Sequence, residues 1–317
     1  MSNNKICSIW GASGQVSRSL IRYLGLEGYR IIACTRNPYK NNFIKTQANN
    51  VGSIDLEKVN IFDEENIRHI VKNSDIVINT VGILYSKGSK NTFQNIHVNF
   101  PNVLSKFCKE YKIKKLIHLS ALGIEESKET KYASSKLRGE DIILNNFNNS
   151  KIIRPSLIFS VNDKFTTRFM KMLSIFPIFP MYGNNGTTKF QPIFCGDVCK
   201  GIIEILKKEN NNDIYEFGGP EVLTFREIIE ILLNSINKKG KRFLLPVPKS
   251  IANLQARFFE LFPKPLLTVD QLKLLEYPNI ITGKYMTIND LDIKFLSTLE
   301  SEISNYSSLY KSGGQFA

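Results

Sequence analysis

Ile9-Trp-Gly-Ala-Ser-Gly-Gln-Val-Ser17 follows a short apolar run, Lys5-Ile-Cys-Ser-Ile-Trp10, and leads straight into Arg18-Ser-Leu-Ile-Arg-Tyr-Leu24, whose apolar positions recur at helical spacing. The order is strand, tight glycine turn, helix. In a βαβ unit such a turn aims a helix N-terminus, with its unpaired backbone N–H groups, at a bound phosphate. Gly11 makes the turn and Gly14 lets the backbone approach a pyrophosphate. The third fingerprint position holds Ser17 in place of glycine, a departure expected to loosen helix–strand packing. The plain alternative is a structural β–α turn that binds nothing.

Outward from this unit, strand-like runs alternate with helical ones. Tyr29–Cys34 follows Gly28, and Lys58–Phe62 precedes the acidic Asp63-Glu-Glu, suited to the first turn of a helix. Asp75–Gly82 reads as a fourth strand, then a helical segment spans 95–111, and Lys115–Ser120 is a fifth strand. A helix over 132–144 leads to Ser150–Pro155. Alternation at these lengths implies right-handed crossovers and a Rossmann-type, doubly wound α/β fold with a parallel sheet covered on both faces. Residues 1–156 form that domain, with 193–218 returning to it. Beyond Pro155 the run 157–192 reads as loop-rich and aromatic. A helix over 196–208, a Pro-punctuated strip Phe243–Pro248 and an amphipathic segment 251–262 follow. Segments 157–192 and 219–300 are read as a smaller C-terminal, substrate-side lobe over the strand C-termini, where open α/β sheets bind ligands. The polar tail, 301–317, is expected to fray.

The 317 residues, 42% hydrophobic and 22% charged, suit one large domain or two joined ones. The longest apolar stretch, Phe169–Met181, is broken by a lysine and two prolines, so it is no spanning helix, which needs about 20 apolar residues. With the first strand starting near Met1, no signal segment is expected, and the chain reads as cytoplasmic or peripheral on the inner membrane face. The net charge of +13 fits an anionic membrane surface or an acidic partner, and equally a Lys-, Ile- and Asn-rich composition. No nucleic-acid motif accompanies it. Five cysteines without paired spacing argue against disulfides, and Cys195 with Cys199, lacking further ligands nearby, reads as core and not as a metal site.

NAD-binding units place an acid after the second strand, on the ribose 2′-hydroxyl. Here Cys34-Thr-Arg-Asn-Pro38 offers Arg36 instead, which can pair with a 2′-phosphate, so NADP(H) is favoured over NAD(H). Tyr132-Ala-Ser-Ser-Lys136 sets a phenol and an ammonium on one helix face. The ammonium is expected to lower the phenol from about 10 toward working pH, fitting it to exchange a proton with a carbonyl or hydroxyl. Ser120, twelve residues earlier at a strand end, is placed to hold the substrate oxygen. Tyr111 and Lys115 share the spacing but precede a strand and lack the serine. His69, His97 and His118 read as scattered, with His118 in a buried strand.

Together these features resemble the short-chain dehydrogenase/reductase superfamily, in its extended and atypical branch, over most of the chain. The resemblance rests on Gly-Ala-Ser-Gly at 11–14, Asn-Thr-Val-Gly at 79–82, Asn99, Ser120, Tyr132 with Lys136, Arg154-Pro155 and Gln191–Val198. The last segment is similar to one that shapes the mouth of the substrate pocket. A narrower set comprises His118–Gly123, Tyr132–Glu140, Arg154–Phe159 and Pro265–Leu275. It resembles the family of the nucleotide-binding accessory subunit of NADH:ubiquinone oxidoreductase (respiratory complex I), alpha-subcomplex subunit nine, with its bacterial relatives. That resemblance implies tightly held NADPH, a place among complex I subunits near the quinone-side arm, and no clear turnover. Gln15 and Ser17 depart from the family's Gly-Phe-x-Gly turn, which bears on affinity more than on cofactor type. The resemblance further implies that the backbone of Gly11, Ser13, Gly14, Gln15 and Val16 cradles the pyrophosphate. Asn60 and Ile61 would lie by the adenine, and Thr80, Val81 and Gly82 near the ribose and nicotinamide. Lys136 would bond the nicotinamide ribose, with Pro155 and Leu157 beside the carboxamide. Three functions stay open: an accessory or assembly component of the respiratory complex, a free NADP-dependent reductase or epimerase using Ser120, Tyr132 and Lys136, and a redox-sensing regulator.

Overall fold

In the computed structural model, which describes residues 5–47, 52–161, 163–208 and 213–311, the apolar runs of the first half become strands. They are β1 Ile6–Trp10, β2 Arg30–Thr35, β3 Ile54–Lys58, β4 Ile76–Asn79, β5 Lys115–Leu119 and β6 Ser150–Pro155. They pair in the order β6-β5-β4-β1-β2-β3, each pairing parallel. Helices α1 Gln15–Leu26, α2 Glu64–Lys72, α3 Phe100–Glu110 and α4 Lys131–Asn146 lie in the crossovers. Strand residues alternate between faces. Ile9, Ile78, Ile117 and Ile153 meet α1 in one core, while Trp10, Val77, Leu116 and Ile152 meet α2, α3 and α4 in the other. The doubly wound α/β fold is thus present, and the strand order reverses between β1 and β4, where such sheets open a crevice.

Three segments differ from expectation. The third strand lies at 54–58, ahead of the 58–62 run, because Val59 N–H closes on Thr35 O and the chain then turns at Asn60, whose side chain accepts from Phe62 N–H. Within 157–192 the chain forms a helix, α5 Thr166–Ile175, entered through Asp163, which accepts from the N–H groups of Phe165 and Thr167. Two more strands extend the sheet beyond β6: Ile214–Phe217 and then Met286–Thr287, both parallel. Ile288 and Leu291 join the core beneath them, so 286–291 belongs with the sheet and not with the lobe.

Helix α6 Cys195–Lys207 packs on α1, with Cys195 and Cys199 buried and free. The lobe adds α7 Phe225–Ser235, started by a reciprocal Thr224–Glu227 cap, then α8 Lys249–Glu260, α9 Val269–Leu274 and α10 Leu299–Ser304. Its core gathers Phe159, Met170, Phe179, Phe225, Ile228 and Leu232. Ile303 and Tyr306 are buried in it too, and Tyr306 Oη lies 3.0 Å from Thr166 Oγ1. Residues 301–311 are therefore packed where fraying was expected, and 312–317 lie outside the described residues. Among the described residues no helix is long and apolar enough to cross a membrane.

Candidate nucleotide site

The turn after β1 is built for close approach. Gly11 has φ +86°, and a Cβ there would lie 2.9 Å from Thr80 Oγ1 and 3.3 Å from Val81 Cγ2. Gly14 N–H donates to Gly11 O at 2.8 Å, and no side chain caps α1, so its first N–H groups are free to meet an anion. Ser13 and Gly14 are exposed, with Gln15 and Val16 half-buried behind them.

Ser17 does not loosen the helix. It is fully buried, 2.6 Å from Thr80 Oγ1, while Thr80 Oγ1 donates to Trp10 O at 2.8 Å. Ser17 therefore donates to Thr80, and the pair staples α1 to the ends of β1 and β4. The Thr80 hydroxyl, placed by resemblance near the ribose, is committed to this staple. Gln15 Nε2 reaches Ser160 Oγ in the lobe at 3.0 Å. Ala12 N–H bonds Cys34 O, bringing the turn to the end of β2. Arg36 sits there, exposed and with no hydrogen bond or ion pair among the described residues. Exposed Asn60 and half-buried Ile61 follow Val59, which is bonded to the same strand end.

Helix α4, capped by Thr130 through Ala133 N–H, carries Tyr132 and Lys136 to the other side of the crevice. Lys136 is buried, its Nζ donating to Leu119 O at 2.9 Å, next to Ser120. Burial brings its pKa down to about 8, against the opposing pull of Glu140. Gly82 faces it, since a Cβ there would lie 3.5 Å from Nζ and 3.8 Å from His97 Nε2. Ser120 Oγ is buried without a partner among the described residues. Tyr132 departs from expectation. Its ring stands edge-on to His97 and Phe93, with centroids 5.6 and 6.1 Å away, and burial pushes its pKa up to about 12. Sharing a helix face does not tune the phenol here, because its ring packs on Phe93 and His97 and the ammonium is turned to Leu119 O.

His97, read from sequence as scattered, is part of the site. Its Nε2 accepts from Ile83 N–H at 3.1 Å, and its Nδ1 lies 2.8 Å from Ser135 Oγ, whose own proton goes to Tyr132 O. The ring thus links the loop bearing Gly82 to α4. Asn99 is exposed and bonded to Asn95 and Gln94, outside the site. The wide π turn Gln94–Asn99 lies where an unbroken α-helix was expected. Position alone could have singled out His97, two residues before Asn99 in the helix after β4. Below the crevice, Asn79 Nδ2 donates to His118 Nδ1 at 3.0 Å, and Asn79 Oδ1 accepts from Val81 N–H. At the end of β6, Pro155 O accepts from Leu122 N–H and Leu157 N–H donates to Asn279 Oδ1, so Asn279, which sequence did not indicate, fixes that rim.

A separate open cleft of about 490 Å³ lies where strands Ile214–Phe217 and Met286–Thr287 begin. Its carboxylates are engaged, Asp213 with Lys151 and Asp290 with Thr287.

Residues 7–218 match the family described as "NAD dependent epimerase/dehydratase family". The chain belongs to it. Among similar proteins is "NADH dehydrogenase [ubiquinone] 1 alpha subcomplex subunit 9, mitochondrial" of Arabidopsis thaliana, 26% identical over 91% of this chain and 74% of that protein. The protein of the same name in Dictyostelium discoideum is 26% identical over 98% of this chain and 86% of its own length. Of the solved structures, a UDP-glucuronic acid 4-epimerase from Bacillus cereus, in complex with UDP-glucuronic acid and NAD, shares the fold at a TM-score of 0.69. It is 16% identical, and the match covers 95% of this chain and 98% of that one. In this member of the epimerase/dehydratase family the crevice brings together a glycine turn with uncapped helix amides, an exposed arginine at the β2 end, and an ammonium next to a hydroxyl without a partner among the described residues.

Proposed function

We propose that this chain holds a nicotinamide dinucleotide, NADPH in preference to NADH, as an accessory or assembly component of respiratory NADH:ubiquinone oxidoreductase, cytoplasmic and peripheral to the membrane. The placement of Tyr132 carries the reading. The glycine turn keeps uncapped helix amides, while Tyr132 packs edge-on to His97 and Phe93 and the Lys136 ammonium that would tune it donates to Leu119 O, an arrangement that supports retention over proton transfer. Similarity along nearly the whole chain to subunit nine of that complex supports the assignment of partner. When bound, the nucleotide supplies hydride chemistry. The chain's own residues would bind and orient it: the amides of Ser13, Gln15 and Val16 on the pyrophosphate, with Gly14 giving it room to approach, Lys136 on the nicotinamide ribose and Arg36 on the 2′-phosphate.

One observation favours a second reading, a free NADP-dependent reductase or epimerase. Ser120 Oγ, buried next to Lys136 and without a partner among the described residues, is a group that a substrate oxygen would satisfy. Native-gel separation of mildly solubilised membranes, probing for this protein and for released NADPH, tests the two. Co-migration with the respiratory complex and non-exchanging NADPH supports the accessory role, and a small free species with exchangeable nucleotide overturns it. Tyr132→Phe is expected to leave nucleotide retention and co-migration unchanged. In an enzyme the same change lowers turnover by roughly a hundredfold or more. Arg36→Glu is expected to weaken NADPH binding by roughly tenfold or more, as a charge-assisted pair is replaced by repulsion, while NADH binding holds. Equal titration curves for both nucleotides with Arg36→Glu and the parent would make Arg36 a solvated charge only.

A further inference from the structure

Helix α8 packs inward through small residues, Ala252 and Ala256, which form a minor core with Leu272 of α9. Its large apolar residues point the other way. Ile251, Leu254, Phe258 and Leu261 recur at helical spacing along one stripe, and Leu254 and Leu261 are 71% and 80% exposed. A surface helix of a self-contained domain has the opposite polarity, bulk inward and charge outward. The stripe also continues beyond the helix. The strand Phe243–Pro246, which leads into α8, pairs with Ile178–Met181 and sets Phe243 beside Ile178, 75% and 53% exposed. Arg242 holds this strand to the end of α5 through Leu173 O and Ser174 O, and Arg168 of α5 reaches Leu266 O beyond α8.

The charge around this apolar surface is one-sided. Segments 164–181 and 238–266 contain ten lysines and arginines and one carboxylate, Glu260, whose Oε1 accepts from Val269 N–H. Lys249 opens α8 and Lys264 follows it, while Arg257 flanks the stripe; of these, Lys249 pairs with Glu276. An exposed apolar stripe rimmed by cations matches an anionic bilayer, where the apolar side chains enter the headgroup boundary and the cations remain at the phosphates. A second copy is disfavoured, because facing patches would bring like-charged rims together.

We propose that the α8 face, with the Phe243–Ile178 strand pair beside it, is the surface by which this chain rests on a bilayer containing anionic lipid. This deepens the peripheral placement proposed above and rests on it, while standing apart from the nucleotide assignment. The full chain is mixed with vesicles of phosphatidylcholine alone or with added phosphatidylglycerol, and the bound fraction is read by sedimentation. Strong binding is expected only with phosphatidylglycerol, weakened by salt. The double variant Leu254→Glu, Phe258→Glu is expected to reduce partitioning by roughly tenfold or more. Both side chains are exposed, so its circular dichroism and nucleotide retention should match the parent. Because Trp10 is fully buried, Leu254→Trp adds a reporter whose emission should shift to the blue on anionic vesicles.

Absence of vesicle binding by the parent, or equal binding by the double variant, overturns the proposal. So does a parent dimer that the double variant converts to monomer, which assigns the face to a second copy. Selective binding to an acidic soluble protein with no vesicle binding also overturns it. Vesicle binding without any nucleotide retention leaves this surface standing and removes the nucleotide reading alone.

Discussion

Arg154→Met is expected to lower the free energy of unfolding by about 3–5 kcal/mol, read from urea titration at neutral pH. Arg154, in β6, is 4% exposed and Glu140, in α4, is 1% exposed. Arg154 Nε lies 3.1 Å from both Glu140 oxygens, and its Nη2 lies 2.6 Å from Oε2. Nη1 reaches Glu125 Oε1 at 2.6 Å, which also accepts from Tyr285 Oη, and the guanidinium stacks over the Tyr285 ring at 4.8 Å. Methionine fills much of the space but leaves the Glu140 carboxylate buried without its counter-ion, a cost that exceeds the net worth of the intact pair. Arg154→Met with Glu140→Leu removes both charges and should recover most of the loss. A double variant no more stable than Arg154→Met would show that the stranded charge is not the cause. Because Glu140 stands one turn beyond Lys136, the single variant should also loosen the helix that carries the site.

Acid should destabilise the fold well before its carboxylates titrate. His97 is held neutral, its pKa pulled down to about 2 by burial and then by the Lys136 charge. His118 is lowered by the same two causes and by His97. Both nitrogens of His97 are assigned: Nδ1 gives its proton to Ser135, and Nε2 accepts from Ile83. A second proton would face an N–H donor. These folded-state values lie below the unfolded reference of about 6.5, so the stabilisation is complete above that pH and drains as pH falls. His97 contributes a slope approaching about 1.4 kcal/mol per pH unit and removes about 2 kcal/mol between pH 7 and pH 5, and His118 drains stability in the same direction. Asp75 and Glu125, lowered mainly by hydrogen bonds and cations that outweigh their burial, act only below the ordinary carboxylate range. His97→Asn should lower the slope between pH 7 and pH 5 by removing the His97 share of it. A flat profile there would mean that both rings titrate normally in the fold.

The sheet is legible because five of its strands, β1, β2, β4, β5 and β6, are buried on one or both faces and read as apolar runs between turn signals. β3 is not, because an edge strand alternates, Ile54 and Leu56 against Asp55 and Glu57, and its signal is weaker than the Val-Asn-Ile-Phe run that follows. Helix α5 was hidden by flanking prolines and aromatics, although Asp163 ahead of it was a readable cap. A two-residue strand such as Met286–Thr287 leaves no periodicity to read. In the site, the glycine turn and the positions of Ser120 and Lys136 followed from strand ends and helix spacing. The environment of Tyr132 did not, since the walls that set it, Phe93 and His97, come from a helix nearly forty residues away. The role of Ser17 is out of reach of local sequence for a similar reason: its partner, Thr80, lies across the sheet's switch point. The amphipathic pattern of α8 was visible, but only the contact of its alanines with Leu272 tells which face is turned out.

The path of the last third of the chain has a topological consequence. Residues 218–285 depart from Ile214–Phe217 and come back at Met286–Thr287, its direct neighbour in the sheet, and the chain then crosses once more into the lobe through α10. The lobe is therefore threaded through the doubly wound sheet and not hung from its end, so the two cannot be separated by a single cut. Any shortening from the C-terminus that reaches Met286 strips an edge strand from the sheet, exposing the backbone of Ile214–Phe217 as it empties the lobe. The two parts must then gain and lose their structure as one cooperative unit.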